Sequence, residues 1–214
     1  MSAANYSLTS MLMFLFLLNP FNNSQDVVQQ NNIISMYFSA ALDLNFNIKM
    51  FEARIEKVNN FDTYQNLALL NEENTPVFFN ELPEKQKETY VLFQHEAGYK
   101  TMKNISGFYA KLEKEFLLNY SNELERLSEV ADDDPVKQST ITSLNRIKAM
   151  LEGDLPKLLE LRKKQANMHE EYLKELIKKY TESEDESFVN QLTERLEKVK
   201  ELHDKEALVS RNQE

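Results

Sequence analysis

Residues 27–58 read VVQQNNIISMYFSAALDLNFNIKMFEARIEKV, and this stretch decides the fold. Apolar residues recur in it at gaps that alternate between three and four without a break. Only Gln30 departs from apolar or small residues in the series, whose members are Val27, Gln30, Ile34, Tyr37, Ala41, Leu44, Ile48, Phe51, Ile55 and Val58. Such a repeat keeps one side of a helix facing a partner helix, which is how a coiled coil is specified. The sequence therefore predicts a long helix with a continuous packing seam.

Composition extends the helical prediction to the whole chain. Its 214 residues include only three glycines and five prolines, and the residues that favour helices are abundant. We expect an all-α fold, an elongated bundle of long antiparallel helices with coiled-coil seams.

Changes in sequence character along the chain predict four regions. They are apolar N-terminal helices over 1–59, an irregular middle with short helices over 60–98, long coiled-coil helices over 99–182, and a charged C-terminal helix and tail over 183–214.

Glycines, prolines and capping residues predict where the helices begin and end. A helix beginning at Leu82–Pro83 is expected to stop near Gly98, and the segment 153–156 is expected to kink or interrupt a later helix. Asp134 is a good N-cap with Pro135 at the first helical position. Ser183 and Glu186 have the spacing of a capping box for the last helix.

The middle of the first long helix is apolar on more than its seam. The additional apolar residues are Ile33, Met36, Phe38, Ala40, Leu42, Phe46 and Met50. A helix that is apolar on several sides is covered by more than one neighbour. The sequence predicts either a central helix of one bundle or a helix that other copies cover.

The N-terminus carries no Lys or Arg before Lys49. Its apolar run from Met11 to Leu18 is too short to span a bilayer and lacks the basic region of a cleaved signal peptide. The interpretation we favour is a short helix over about Thr9–Leu18 packed on the bundle. The alternative is a segment exposed until it meets a partner, a membrane or another copy. An uncharged start would also suit secretion without a cleaved signal, with a cytoplasmic location as the alternative.

Several classes of site are disfavoured by the sequence. A net charge of −10 argues against a nucleic-acid surface, and the absence of cysteine removes thiolate chemistry. His95, His169 and His203 lack the glutamate spacing of metal sites, so we expect ordinary surface or interface histidines. We predict no catalytic residue, no metal and no cofactor. An enzyme with carboxylates dispersed over distant helices stays open as the third hypothesis.

The stretch from Ile33 to Arg54, IISMYFSAALDLNFNIKMFEAR, resembles the first long helix of the EspA/SseB-type filament and translocator proteins of type III secretion systems. The uncharged N-terminus and a C-terminal helix over Leu144–Tyr180 are similar too. The resemblance implies that copies assemble outside the cell and that a chaperone holds the subunit before export. The chain differs from that family in the helix over 102–131 and in the charged helix after Ser183.

The resulting functional prediction is a non-enzymatic helical protein that associates with itself or with a helical partner, as an exported assembly or tip component. The residues assigned to that interface are Ile34, Tyr37, Ala41, Leu44, Ile48, Phe51 and Ile55. The alternative is a cytosolic adaptor or injected effector that binds a partner through its charged C-terminal helices.

Overall fold

The computed structural model describes residues 27–70 and 74–211, with side chains described for 32–70 and 74–202. Chain contacts divide the protein into two units, residues 1–36 and residues 37–214. The described part of the first unit is helical from residue 27 to residue 36. The short helix predicted over Thr9–Leu18 lies outside the described residues.

The described residues form an all-α bundle with one very small sheet, as the sequence predicts. The four helices are α1 (Val27–Lys57), α2 (Glu84–Ser128), α3 (Pro135–Glu182) and α4 (Glu186–Arg211). Between α1 and α2 lie two 3₁₀ turns (Phe61–Tyr64 and Phe79–Glu81) and strands β1 (Ala68–Leu70) and β2 (Pro76–Phe78). Among these described elements, none has the length and apolarity of a membrane-spanning helix.

Side-chain contacts show how α1 lies on the next two helices. Tyr37 meets Asn119 near the end of α2, whereas Arg54 meets Gln94 near its beginning, so α1 and α2 are antiparallel. Helices α2 and α3 are antiparallel as well. Tyr120 near the end of α2 bonds Asn145 near the start of α3, and Glu88 near the start of α2 bonds Lys179 near the end of α3. Helices α1 and α3 are therefore parallel, and both flank α2.

A second packing region joins the beginning of α2 and the end of α3 to α4 and to the segment between α1 and α2. Its core consists of Phe79, Leu82, Val91, Leu92, Tyr172, Leu173, Leu176, Tyr180, Phe188 and Leu192. Half-buried residues of the small sheet and of α4 pack against this core, among them Leu69, Val77, Leu196 and Val199. The apolar face of α4 thus lies on the bundle.

The predicted helix end at Gly98 is wrong, because α2 continues from Glu84 to Ser128. Gly98 is buried inside this helix, where an added Cβ atom would lie 3.2 Å from Nε of Arg54. The absent side chain leaves room for the side chains of Arg54 and Gln165 against α2. Gly98 therefore marks a packing contact and not a helix end.

A kink or an interruption was predicted at residues 153–156, and the interruption is wrong. Helix α3 runs unbroken from Pro135 to Glu182 with Pro156 inside it, although proline removes one backbone hydrogen bond. Leu151, Leu155 and Leu158 are buried on either side of the proline. Their packing outweighs the lost bond, since most helical stability in proteins comes from tertiary burial.

The irregular middle contains a strand pair that the sequence reasoning missed. Within the region 60–98, where short helices were expected, residues 61–70 form a 3₁₀ turn and then β1, which pairs antiparallel with β2. Leu69 lies opposite Val77, and both are half-buried against the second packing region. In the sequence, the three consecutive apolar residues at 77–79 lack helical spacing, and this is the signal that could have indicated β2.

Two of the three predicted helix starts are confirmed, and the first is that of α2, which begins at Glu84 directly after Pro83. Asp134 caps α3 by accepting hydrogen bonds from the backbone N–H groups of Val136 and Lys137, with Pro135 at the first helical position. The capping box at Ser183 is wrong. Ser183 closes α3, and Oδ1 of Asp185 accepts instead from the backbone N–H of Phe188 at the start of α4.

Replacing Gly153 by alanine tests whether α3 is continuous there. Gly153 is exposed, has no positive φ and would meet no atom within 4 Å of an added Cβ. Gly153→Ala is therefore expected to raise the free energy of unfolding by about 0.5–1 kcal/mol, as helix propensity requires. Chemical denaturation measures it.

Gly107→Ala is the matched control, because Gly107 is also exposed within a helix and has open space around it. It is expected to stabilise by a similar amount. A gain at Gly107 combined with a loss at Gly153 would indicate a helix end at 153 and would contradict the continuous α3.

Candidate functional site

Helix α1 has two faces of different character. Its inner face consists of Tyr37, Ala41, Leu44, Ile48, Phe51 and Ile55, and the same line continues into Val58 directly after the helix. Each of these side chains is at most 4% exposed. These residues continue the three-four repeat of the sequence. We call them the α1 seam. Ile34, the other residue assigned to the interface, is half-buried and belongs to the first unit.

The seam is covered within a single copy of the chain. The ring of Tyr37 packs edge-on against Phe116 of α2 with centroids 5.1 Å apart, and its hydroxyl oxygen accepts a 2.8 Å hydrogen bond from Nδ2 of Asn119. Burial raises the pKa of Tyr37 above its ordinary value, so the hydroxyl stays neutral. The interface role of the seam stays a prediction, and contact with another chain through it would require α1 to leave α2.

Polar side chains beside the seam fix its position on both neighbours. Nδ2 of Asn45 donates a 3.0 Å hydrogen bond to Asp154 of α3. Nη2 of Arg54 donates to the backbone and side-chain oxygens of Gln94 on α2, at 3.0 and 3.1 Å. Each bond joins residues far apart in sequence, so together they set the register of α1 against two helices.

The opposite face of α1 carries large apolar side chains that nothing in the described bundle covers. Leu42 is 48% exposed, Phe46 is 61% exposed and Met50 is 52% exposed. They are spaced by four residues and so lie in one row along the helix surface. We call this set the outer row. Sequence reasoning identified these residues as needing cover, and no other residue that the structure describes provides it.

A second cluster contains two of the three histidines, and here the surface prediction is wrong. His95 of α2 is fully buried, and His169 of α3 is 3% exposed. Their rings stack with centroids 6.0 Å apart, and Tyr172 stacks on His95 from 5.1 Å. Sequence spacing gave no sign of this pairing, because the two residues lie on different helices.

Hydrogen bonds define the protonation state of His95. Oδ1 of Asn59 lies 2.6 Å from Nε2, and Nε2 of Gln165 lies 3.0 Å from Nδ1. An amide oxygen only accepts and an amide nitrogen only donates, so His95 is neutral with its proton on Nε2. Burial, with His169 and Arg54 nearby as further causes, lowers the pKa of His95 to about 4.

This cluster joins three segments but is poorly suited to catalysis or metal binding. Both ring nitrogens of His95 are occupied, and the ring has no contact with solvent. Across the part of the chain that the structure describes, no group of three or more histidine, aspartate or glutamate side chains could hold a metal ion.

Charged residues near the α3–α4 turn also serve packing. Glu88 of α2 is buried and accepts hydrogen bonds from Lys179 at 2.7 Å and from the hydroxyl of Tyr180 at 2.6 Å. Lys85 bonds Asp185 and lies over the ring of Phe188 at 4.1 Å. The contacts of Glu88 join α2 to α3, and those of Lys85 hold the start of α4 against α2.

Comparison of the chain with protein-family models, with curated proteins and with solved structures finds no match.

Leucines 42 and 44 provide a matched pair for the two faces of α1. Leu44 is fully buried, so Leu44→Ala is expected to lower the free energy of unfolding by about 2–5 kcal/mol. Leu42→Ala is expected to change it by less than about 0.5 kcal/mol. Denaturant titration of both variants measures the difference, and equal costs would contradict this orientation of α1.

The lowered pKa of His95 predicts acid sensitivity with a definite sign. In the unfolded chain His95 titrates near its ordinary value of 6.5, whereas in the folded chain it titrates at about 4. As pH falls from 6.5 towards 4, the unfolded state binds a proton that the folded state does not, so stability is lost. Between pH 7 and pH 5 this loss is about 2 kcal/mol.

His95→Gln isolates that contribution, because glutamine keeps a donor and an acceptor but does not titrate. Urea unfolding at pH 7 and pH 5 should show a loss about 2 kcal/mol smaller in the variant than in the natural chain. Identical losses in the two proteins would show that His95 is not held neutral in the fold.

Proposed function

We propose that this chain is a non-enzymatic helical protein that associates through α1 with another copy or with a helical partner. The observation that carries the proposal is the exposure of Leu42, Phe46 and Met50 in one row. Apolar residues scattered singly on a surface need no explanation, but a contiguous row is typical of an interaction site. A row at helical spacing fits the groove of a second helix.

The energetics favour a reversible contact. Covering the exposed half of each of the three side chains contributes about 1 kcal/mol, or about 3 kcal/mol in total. The outer row alone therefore gives weak association, and polar contacts around it decide the partner. Because the seam is already buried, such association leaves the bundle intact.

We further propose that this association serves a bacterial secretion system, in which the chain acts as an exported assembly or tip component. The support is the resemblance of residues 33–54 to the EspA/SseB-type helix, together with the N-terminus that lacks Lys and Arg. The outer row lies within that segment. In this proposal a chaperone would cover the outer row before export.

The non-enzymatic part of the proposal is supported by the state of the most unusual polar group. His95 is enclosed and hydrogen-bonded on both nitrogens, so it has no free lone pair to offer a substrate. Its contacts are those of a residue that positions three segments.

Light scattering behind size exclusion, from low to high micromolar protein, tests association through the outer row. The natural chain is expected to gain mass with concentration, and Phe46→Asp is expected to stay monomeric with an unchanged melting temperature, because the charge falls on an exposed position.

Phe93→Asp is the matched control, since Phe93 is 57% exposed but lies on α2. It should associate like the natural chain. Equal association of Phe46→Asp and the natural chain would refute a role for the outer row. A natural chain that stays monomeric throughout would refute self-association and favour the adaptor alternative.

A further inference from the structure

We propose that the second helix on the outer row is α1 of another copy of this chain, crossing it about a two-fold axis that runs along the row. This inference rests on the proposed association through α1 and names its partner. The resulting pair places Phe46 beside Phe46 of the other copy and brings Asp43 of each copy to Lys49 of the other.

The spacing of the row sets the crossing. Residues 42, 46 and 50 form a ridge of the i, i+4 type, which is inclined to the helix axis. When two such ridges pack side by side, the helices cross at about 50°, the commonest class of helix contact in globular proteins. The ridge is apolar at all three positions, so it is complementary to itself.

Two arrangements of the ridges are compatible with a two-fold axis. In the first, the ridges run in the same direction and residue 42 lies beside residue 42 of the other copy. In the second, they run in opposite directions and residue 42 lies beside residue 50. The apolar side chains alone do not distinguish the two.

The flanking charges select the first arrangement. Asp43 and Lys49 lie three positions before and three positions after Phe46, and on a helix this places them on opposite sides of the ridge. Ridges in the same direction bring Asp43 of each copy opposite Lys49 of the other, twice. Ridges in opposite directions bring Asp43 to Asp43 and Lys49 to Lys49, where like charges repel.

Both charges are available for this contact. Asp43 and Lys49 are exposed, and in the described ranges 27–70 and 74–211 neither forms an ion pair. Ser39 and Ala53 extend the exposed face of α1 beyond the row with small side chains, so they do not hold the crossing helix away.

The size and symmetry of the contact predict a weak, closed dimer. Three half-exposed side chains cover far less than the roughly 800 Å² that each partner buries in a standard interface. We therefore expect weak dimerisation that becomes detectable only at high micromolar protein. Because the same surface is used by both copies, association through it ends at two chains.

Single cysteines test the direction of the ridges, since the natural chain has none. Under mild oxidation at about 100 μM protein, the Leu42→Cys variant is expected to form a disulfide-linked homodimer, and so is the Met50→Cys variant. Phe93→Cys, at an exposed position on α2, is the control and should stay reduced. Opposite ridges would instead give a disulfide only when the Leu42→Cys and Met50→Cys chains are mixed, and that result would overturn the proposed crossing.

Charge reversal tests the flanking pairs by sedimentation equilibrium at low salt. Asp43→Lys and Lys49→Asp should each weaken dimerisation about tenfold, because each replaces two attractions by two repulsions. The double variant restores opposite charges at an unchanged net charge and should recover the natural affinity. A double variant as weak as the single ones, or single variants as tight as the natural chain, would overturn the pairing.

The outcomes separate this inference from the proposed function. If Phe46→Asp abolishes association but the cysteine and charge variants fail, association through α1 stands and the crossed dimer is wrong. Oligomers larger than a dimer that still require Phe46 would lead to the same conclusion: association through α1 stands and the crossed dimer is wrong. If Phe46→Asp associates like the natural chain, both proposals fail.

Discussion

The imidazole of His95 joins three segments of the chain at one buried point. Its Nε2–H donates to Asn59, just after α1, and its Nδ1 accepts from Gln165 of α3, while the ring itself belongs to α2. A buried polar group must find its partners in place, so these two bonds permit only one register of the three segments. Gly98, one turn further along α2, then allows the close approach of Arg54.

Fixing the end of α1 in this way orients the whole helix. Once Asn59 and Arg54 are held, the three-four repeat turns Leu44, Ile48 and Phe51 inward and leaves the row at 42, 46 and 50 outside. The same helix therefore stabilises the bundle with one face and offers a contact with the other. Assembly through the outer face requires no unfolding, whereas assembly through the seam would break the contacts of His95 as well as the apolar core.

Sequence periodicity predicted the helical class and the direction in which α1 buries its side chains, because both follow from local spacing. The start of α3 at Asp134 and Pro135 was also predictable, since a cap involves neighbouring residues only. The helix end predicted at Gly98 and the interruption predicted as one outcome at residues 153–156 are wrong, because α2 and α3 run unbroken through them. A glycine that makes room for side chains of neighbouring helices and one that ends a helix look alike until those neighbours are known.

The histidine cluster was beyond sequence reasoning for the same physical reason. His95 and Gln165 are separated by 70 positions, and no local pattern reports a hydrogen bond over that distance. The outer row was predictable only in part, because the excess of apolar residues on α1 indicated that the helix needs more than one neighbour but not which residues stay exposed. Only the packing of α2 and α3 shows which of those residues remain exposed in one chain.

Hydrogen–deuterium exchange of the dilute monomer tests most directly that α1 is anchored within its own chain. We expect the amides of residues 41–55 to exchange as slowly as those of residues 144–158 in α3, because both segments would open only on unfolding of the shared core. Fast exchange of residues 41–55 beside a protected α3 would contradict the account. It would mean that the α1 seam is available to a partner, so the outer row would no longer be the surface through which α1 associates.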